Sequence, residues 1–474
     1  GGRRVELPED TAALKQWARE LIEQCLVSRE NRRMMARLWR QVFYTGSMSG
    51  APSRHNRCYS HIDKLSSYLF SPAGVRFTIE FDSDSTDVWA LKAERAARYL
   101  NRKFNRRGCG TTFSMANMMS LVEGSAFVKM VWGARGLEPW VIPQSFIGVI
   151  REDIAELDRQ EAFVHSFYVT PWVFKRMIAG HPDREDLAKR AQNIGHGATA
   201  EDLVGDSYFH QIVAGGMQPL AVAGTQTANS AMTFGAVGIN AAPSPLLAPE
   251  VAADLICVHD LWVWDDKRED WTTIRLAEPD VLIEGQYRRR NLSDIPKRHP
   301  FVKVSSSQTW GYFFGRSELA TVLETQNNLT EHVNDIRTIM RGQAKPPRAF
   351  SGFQGITDEK ARALLAAGGV LTEQAQGAKV ESLAPEMPAM ALEWVDKLED
   401  FFDDAAGFTN ILSGQGEPGV RAGVHAGTLL RTSTPRLRDR ALLAEGQCAD
   451  FGGLALAMLQ QKDATILMVN GDDD

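Results

Sequence analysis

With 474 residues, of which 44% are hydrophobic and 24% charged, the chain has the composition of a folded protein and is too long for one small core. Its 53 basic and 59 acidic residues leave a formal charge of −6 and a pI near 6.0, which argues against a protein that grips duplex DNA by neutralising phosphates. No apolar run nears the roughly 20 residues that span a bilayer, and Gly1–Glu6 has no apolar stretch behind its charges, so neither a membrane span nor a secretory leader is expected.

Helices come first. Pro8–Thr11 supplies a start, and Leu14, Trp17, Leu21, Ile22 and Cys25 follow at helical spacing; a second stretch, Arg29–Val42, carries Met34, Met35, Leu38, Trp39 and Val42. Its basic cluster of Arg29, Arg32, Arg33, Arg37 and Arg40 suits either a nucleic acid or, more commonly, a solvated face paired with acidic neighbours. A short helix over Tyr59–Leu69, a strand over Val75–Glu80 and helices over Val88–Asn105 and Thr111–Leu121 are predicted next, with Asp82–Asp87 offering caps.

Mixed strands follow. Ala126–Trp132, Trp140–Ile150, Phe163–Tyr168 and Leu255–Trp264 are rich in β-branched and aromatic residues, and Pro171–Arg190 between them reads as helix. Residues 195–249 shift to Gly, Ala, Thr, Ser and Asn; Gly215–Ala242 has too few large apolar side chains to fold alone, and the stretch reads as a long flexible surface excursion, partly disordered or ordered only against a neighbouring subunit. Leu255–Trp264 and Trp271–Leu276 make a hairpin about an acidic turn at Asp265-Asp266. Arg288-Arg289-Arg290 reads as solvated loop.

The segment from Gly311 to Arg440 carries the most information. Arg316–Arg341 places Leu319, Val322, Leu323, Leu329, Val333, Ile336 and Met340 on a narrow apolar seam. A second helix, opened by Pro388, sets Leu392, Val395, Leu398, Phe402 and Ala405 on one stripe, with Glu393, Asp396, Glu399, Asp400, Asp403 and Asp404 on the other face. Between them lies an insert, with strands expected at Pro346–Phe350 and Gly369–Thr372 around a helix at Thr357–Ala367. A glycine-studded loop, Gly407–Gly423, leads into an arginine-rich helix that Pro435 is expected to kink. Arg421, Arg431, Arg436, Arg438 and Arg440 are candidate partners, from a neighbouring copy, for the six acids; two independent solvated faces are the alternative.

Catalytic motifs are sparse. The loop Gly414–Gly423 lacks the lysine and hydroxyl of a phosphate-binding loop, so no nucleotide hydrolysis is expected. Cys25, Cys58, Cys109, Cys257 and Cys448 are scattered, which fits reduced thiols and no structural zinc. The best acid cluster for a metal-dependent nuclease is His259, Asp260, Asp265 and Asp266, though turn acids are the commoner explanation. No catalytic residue, metal or cofactor is assigned.

This order of parts resembles the portal proteins of tailed bacteriophages. The family's Tyr/Phe-x-Gly-x-Ser stretch appears as Tyr312-Phe-Phe-Gly-Arg-Ser317, its Gln-x-x-Leu/Asn pattern as Gln326-Asn-Asn-Leu329, and its later loop elements as Leu412-Ser-Gly414 and Arg421-Ala-Gly423. The resemblance implies an α+β, mainly helical fold assembled as a dodecameric ring. It would comprise a mixed α/β wing (1–305), a helical stem (306–342 and 385–406), a small α/β clip (343–384), a tunnel loop (407–423), a long wing helix (424–446) and a short helical crown (447–474). It also implies a stem interface through Leu319, Val322, Leu329, Val333, Ile336 and Met340, and a tunnel loop presenting Asn410, Ile411, Leu412, Gln415 and Arg421 to the channel. Arg348, Phe350 and Phe353 of the clip would meet the large terminase and then a head-tail adaptor or tail protein. Further implied partners are the major capsid protein, a scaffold and passing dsDNA, at a virion vertex assembled in a bacterial cytoplasm. A metal-dependent nuclease and a non-portal capsid or scaffold component are the alternatives.

Overall fold

The computed structural model describes residues 7–48, 55–70, 74–79, 87–106, 108–133, 136–169, 171–178, 185–189, 256–277, 281–282, 295–344, 348–351, 359, 379–382, 387–407 and 435–462. The predicted excursion at 195–249 and the basic run at Arg288–Arg290 lie outside them.

The two expected N-terminal stretches form one 35-residue helix, α1 (Thr11–Thr45), because nothing between Cys25 and Arg29 breaks the apolar period. Asp10 caps it by accepting from the Ala13 amide at 2.9 Å, and Gly46, at φ 68°, ends it. Helices α2 (Arg57–Leu69), α3 (Asp87–Arg106) and α4 (Cys109–Glu123) follow. The strand expected at Val75–Glu80 has no ladder over its described part, Val75–Ile79. Instead the Asn101 amide of α3 accepts from the Phe77 N–H at 2.8 Å and donates to the Phe77 carbonyl at 2.9 Å.

Next come β1 (Ser125–Gly133), β2 (Gly136–Pro143), β3 (Ile147–Val149), β4 (Ala162–Val169), α5 (Pro171–Met177), β5 (Ile256–Asp265), β6 (Asp270–Ala277), β7 (Val281–Leu282) and β8 (Phe301–Ser305). The single stretch expected at Trp140–Ile150 is split. Pro143 ends the β1–β2 ladder, a 3-10 turn at Gln144–Phe146 redirects the chain, and β3 joins a different sheet. Helix α5 covers only Pro171–Met177 of the expected Pro171–Arg190, with further helix at residues 185–189. The β5–β6 hairpin forms about its acidic turn, where Asp265 accepts from the Lys267 amide at 3.0 Å.

These strands build two antiparallel sheets, β2-β1-β8 and β3-β4-β5-β6-β7. The first half of α1 covers one face of the larger sheet with Leu14, Ala18, Ile22 and Cys25. Its other face meets the smaller sheet through Phe163, Trp262, Trp271, Phe127 and Phe301. Strand alternation makes this possible: Phe127 faces the large sheet, while Ala126, Val128 and Met130 face a helical layer beyond.

After these come α6 (Leu319–Ala344), β9 (Arg348–Ser351), β10 (Lys379–Ser382), α7 (Ala391–Ala406) and α8 (Pro435–Lys462). Pro388 lies in a turn before α7, its carbonyl accepting from the Ala391 amide, and so outside the helix it was expected to open. Pro435 is the first described residue of α8, and the stretch before it, where the expected helix began, lies outside the described residues. Residue 446, expected to divide a wing helix from a crown, falls inside α8. Cys448, Phe451, Leu454, Ala455, Met458 and Leu459 join the core with α3, α4, β1 and β8. By length and composition alone Arg438–Gln461 would suffice to cross a bilayer, which no run was expected to do; half of it is buried in this core.

Candidate functional site

The Tyr312–Ser317 motif is a clamp. Phe313 and Phe314 are fully buried between the sheets, Phe313 stacking on Phe127 with centroids 5.9 Å apart. Lys303 donates to the carbonyls of Ala155 and Phe313, and its ammonium sits 4.3 Å from the Phe313 ring centroid. Burial pushes the Lys303 amine down to about 8, with Glu156 opposing the shift. The Gly315 amide donates to Ser125 Oγ at 2.7 Å, Ser317 Oγ donates to the Val122 carbonyl at 2.5 Å, and the Glu318 amide reaches the Leu121 carbonyl at 3.0 Å. The start of α6 is thereby fastened to the α4–β1 junction.

Two turns further, Gln326 is fully buried. Its Nε2 donates to the His55 carbonyl at 2.9 Å, and its Oε1 accepts from the Arg57 amide at 3.1 Å. Arg57 also holds α7, reaching Glu399 at 3.0 Å and Asp403 at 3.0 Å while its guanidinium lies 5.4 Å from the Phe402 ring centroid. His55 adds a 2.9 Å contact to Glu399. Among the described residues, then, two of the six acids on α7, Glu399 and Asp403, meet Arg57 of α2 in the same chain. Arg440 of α8 is engaged elsewhere, 2.5 Å from Glu318 within the subunit. Arg421 and Arg431 lie outside the described residues.

Anchored this way, α6 and α7 run side by side from a shared base. Leu319, Val322 and Leu329, expected at a subunit interface, are instead fully enclosed in their own chain. Val333 and Ile336 are half-buried and Met340 is 58% exposed. On α7 the core takes Leu398, Phe402 and Ala406, whereas Leu392, expected on the buried stripe, is 62% exposed and Phe401 51%. The Trp394 indole donates to His332 Nε2 at 3.1 Å across the two helices. Sequence reasoning missed Arg57 and the part Gln326 plays; a buried glutamine is legible only once its partners are known.

At the end of the pair, Arg348–Ser351 pairs antiparallel with Lys379–Ser382, and the strand expected at Gly369–Thr372 lies outside the described residues. Of Arg348 and Phe350 only the backbone is described. Phe353 and the tunnel-loop residues Asn410, Ile411, Leu412, Gln415 and Arg421 lie outside the description.

The His259–Asp266 cluster does not converge. Neighbouring strand residues point to opposite faces, so His259 turns to Ser166 Oγ at 2.8 Å while Asp260 enters the space between the sheets. There Arg275 lies 2.5 Å and Lys129 3.3 Å from the Asp260 carboxylate. Burial opposes its ionisation, yet Arg275 and Lys129 together hold it well below the usual carboxylate range. Asp265 is occupied by its turn. Among the described residues no group of three or more His, Cys, Asp or Glu side chains is arranged to hold a metal. No protein-family model matches the chain, and no curated protein matches it either.

Proposed function

We propose that this chain is the subunit of a portal-type ring, the channel for dsDNA at one vertex of a bacteriophage head. One observation carries the reading: a helix pair fixed at its base by Gln326, Arg57 and the Gly124–Gly315 contact, whose outer part leaves Met340 and Leu392 exposed, with Phe401 exposed beside the base. Such a pair gains its missing apolar cover from copies of itself. The four exposed acids of α7, Glu393, Asp396, Asp400 and Asp404, suit a wall past which phosphates slide without lingering. In this reading the β9–β10 end docks the large terminase during packaging and a head-tail adaptor or tail protein afterwards. The two-sheet body would meet the major capsid protein and scaffold. The protein supplies a track and a docking surface and hydrolyses nothing.

Negative-stain electron microscopy with sedimentation velocity tests this directly. Rings with a central hole are expected; a monomer at micromolar concentration, or a closed shell, overturns the proposal.

A further inference from the structure

Between β8 and α6 the chain turns sharply. The Thr309 carbonyl accepts from the Tyr312 amide at 3.2 Å, and Gly311 sits at φ 76°, a value open to glycine at the third position of a turn. Trp310 therefore stands at the tip, where it is 97% exposed. The turn is anchored, because Phe313 and Phe314 just beyond it are buried between the sheets. A large apolar side chain held in solvent on an anchored turn loses little conformational freedom on binding, which suits it to carry a contact. Arg316 and Asp439, both exposed, line the same hollow as Trp310.

On the other side of α8 lies an apolar groove of about 790 Å³, lined by Phe70, Val75, Phe77, Leu100, Cys448 and Leu456 and large enough for an indole. Its α8 wall is exposed at Ala449 and Gly453, and Arg76 and Glu445 are exposed along it. At about 100° per residue, the α8 residues beside Trp310 (Asp439, Arg440 and Leu443) and those of the groove (Ala441, Glu445, Ala449 and Leu456) centre on opposite sides of the helix. A projection and a hollow that face away from each other meet head to tail, copy after copy, and contacts of that kind close into rings. We infer that Trp310 of one subunit enters this groove on the next. The charges agree: Arg316 beside the projection is opposite in sign to Glu445 beside the groove, and Asp439 to Arg76. The inference rests on the ring reading and gives it a contact in the body of the subunit, apart from the α6–α7 pair.

Photo-crosslinking of the full chain tests it. With p-benzoylphenylalanine in place of Trp310, and isotopically light and heavy copies mixed before assembly, crosslinks should join different copies and map to the residues that line the groove. Crosslinks that miss the groove, or that form only within one copy, overturn the inference. Trp310→Ala should keep the circular dichroism of the parent chain, since the side chain is exposed, and should weaken association at least about tenfold by sedimentation velocity. Arg316→Glu and Glu445→Arg should each weaken association alone and recover it together. Rings of the parent chain with undiminished association of Trp310→Ala overturn this contact and leave the ring reading standing. A parent chain that stays monomeric overturns both.

Discussion

Gly124 and Gly315 touch backbone to backbone, and a Cβ on either would come within 2.2 Å of the other's carbonyl oxygen. Gly124 ends α4 at φ 102°, and Gly315 is the centre of the motif that leads into α6. Two small residues far apart in the chain thus set where the projecting helix pair begins.

Gly315→Ala should therefore lower the urea midpoint by the equivalent of about 1–3 kcal/mol, the usual cost of overpacking. Gly124→Ala should cost more, because a positive φ adds strain to the clash. Ser125→Ala, which removes the hydroxyl bonded to the Gly315 amide at 2.7 Å and to Ser305 Oγ at 3.0 Å, should cost about 1–3 kcal/mol. Equal midpoints for Gly315→Ala and the parent chain would show that the contact is not held in solution.

Arg440→Ala should destabilise by about 3–5 kcal/mol, since it removes the guanidinium lying against the buried Glu318 carboxylate. Replacing both residues with Met should recover most of that loss, because the desolvation cost leaves with the charges. Chemical denaturation of the single and double variants checks the coupling. The more exposed Arg57–Asp403 pair should show a coupling of only about 0.5–1 kcal/mol, weakened by salt.

Val333→Asp with Ile336→Asp should leave the subunit folded and block assembly, because both positions are only half-buried in the single chain. Leu319→Asp should instead unfold the base, since that side chain is fully enclosed. Sedimentation velocity and circular dichroism together separate the two outcomes. A double variant that still forms rings would remove α6 from the subunit contact.

Titration makes opposite demands on two kinds of buried group. The Lys303 amine falls to about 8 from 10.5, so the unfolded chain binds more protons between these values and stability should rise with pH across that window. Cys25, Cys58 and Cys448 are pushed up to about 12 from 9.0 by burial, so their contribution is complete below pH 9 and lost as pH climbs toward 12. Between pH 8 and 9 the lysine dominates, and Lys303→Met should flatten the rise seen by urea unfolding. At pH 8 these three thiols should resist iodoacetamide in the folded chain and react once urea unfolds it.

Helix positions were largely legible because a 3.6-residue apolar period is local information, and α1, α3, α4, α6 and α7 all lie close to where that period placed them. The β5–β6 hairpin was legible for the same reason, with strand alternation on either side of polar turn residues. Val75–Ile79 was misread because its pattern is that of a strand, while the partner that satisfies Phe77 is a side chain on α3. The site was less visible. A seam of apolar residues on α6 does not say which of them its own subunit covers, and the answer divides Leu319, Val322 and Leu329 from Val333, Ile336 and Met340.

By itself the sequence determined the elements and their charge: the acid-rich face of α7, the apolar stripe of α6, the glycines and prolines that end helices. These follow from the period and the φ/ψ preference of each residue, which neighbours in the chain decide. Only the tertiary structure decided that Arg57 answers Glu399 and Asp403, that Asp260 is held by Arg275 and Lys129, and that α8 runs unbroken into the core. Those are pairings between residues far apart in the chain, and burial is a property of the packed molecule.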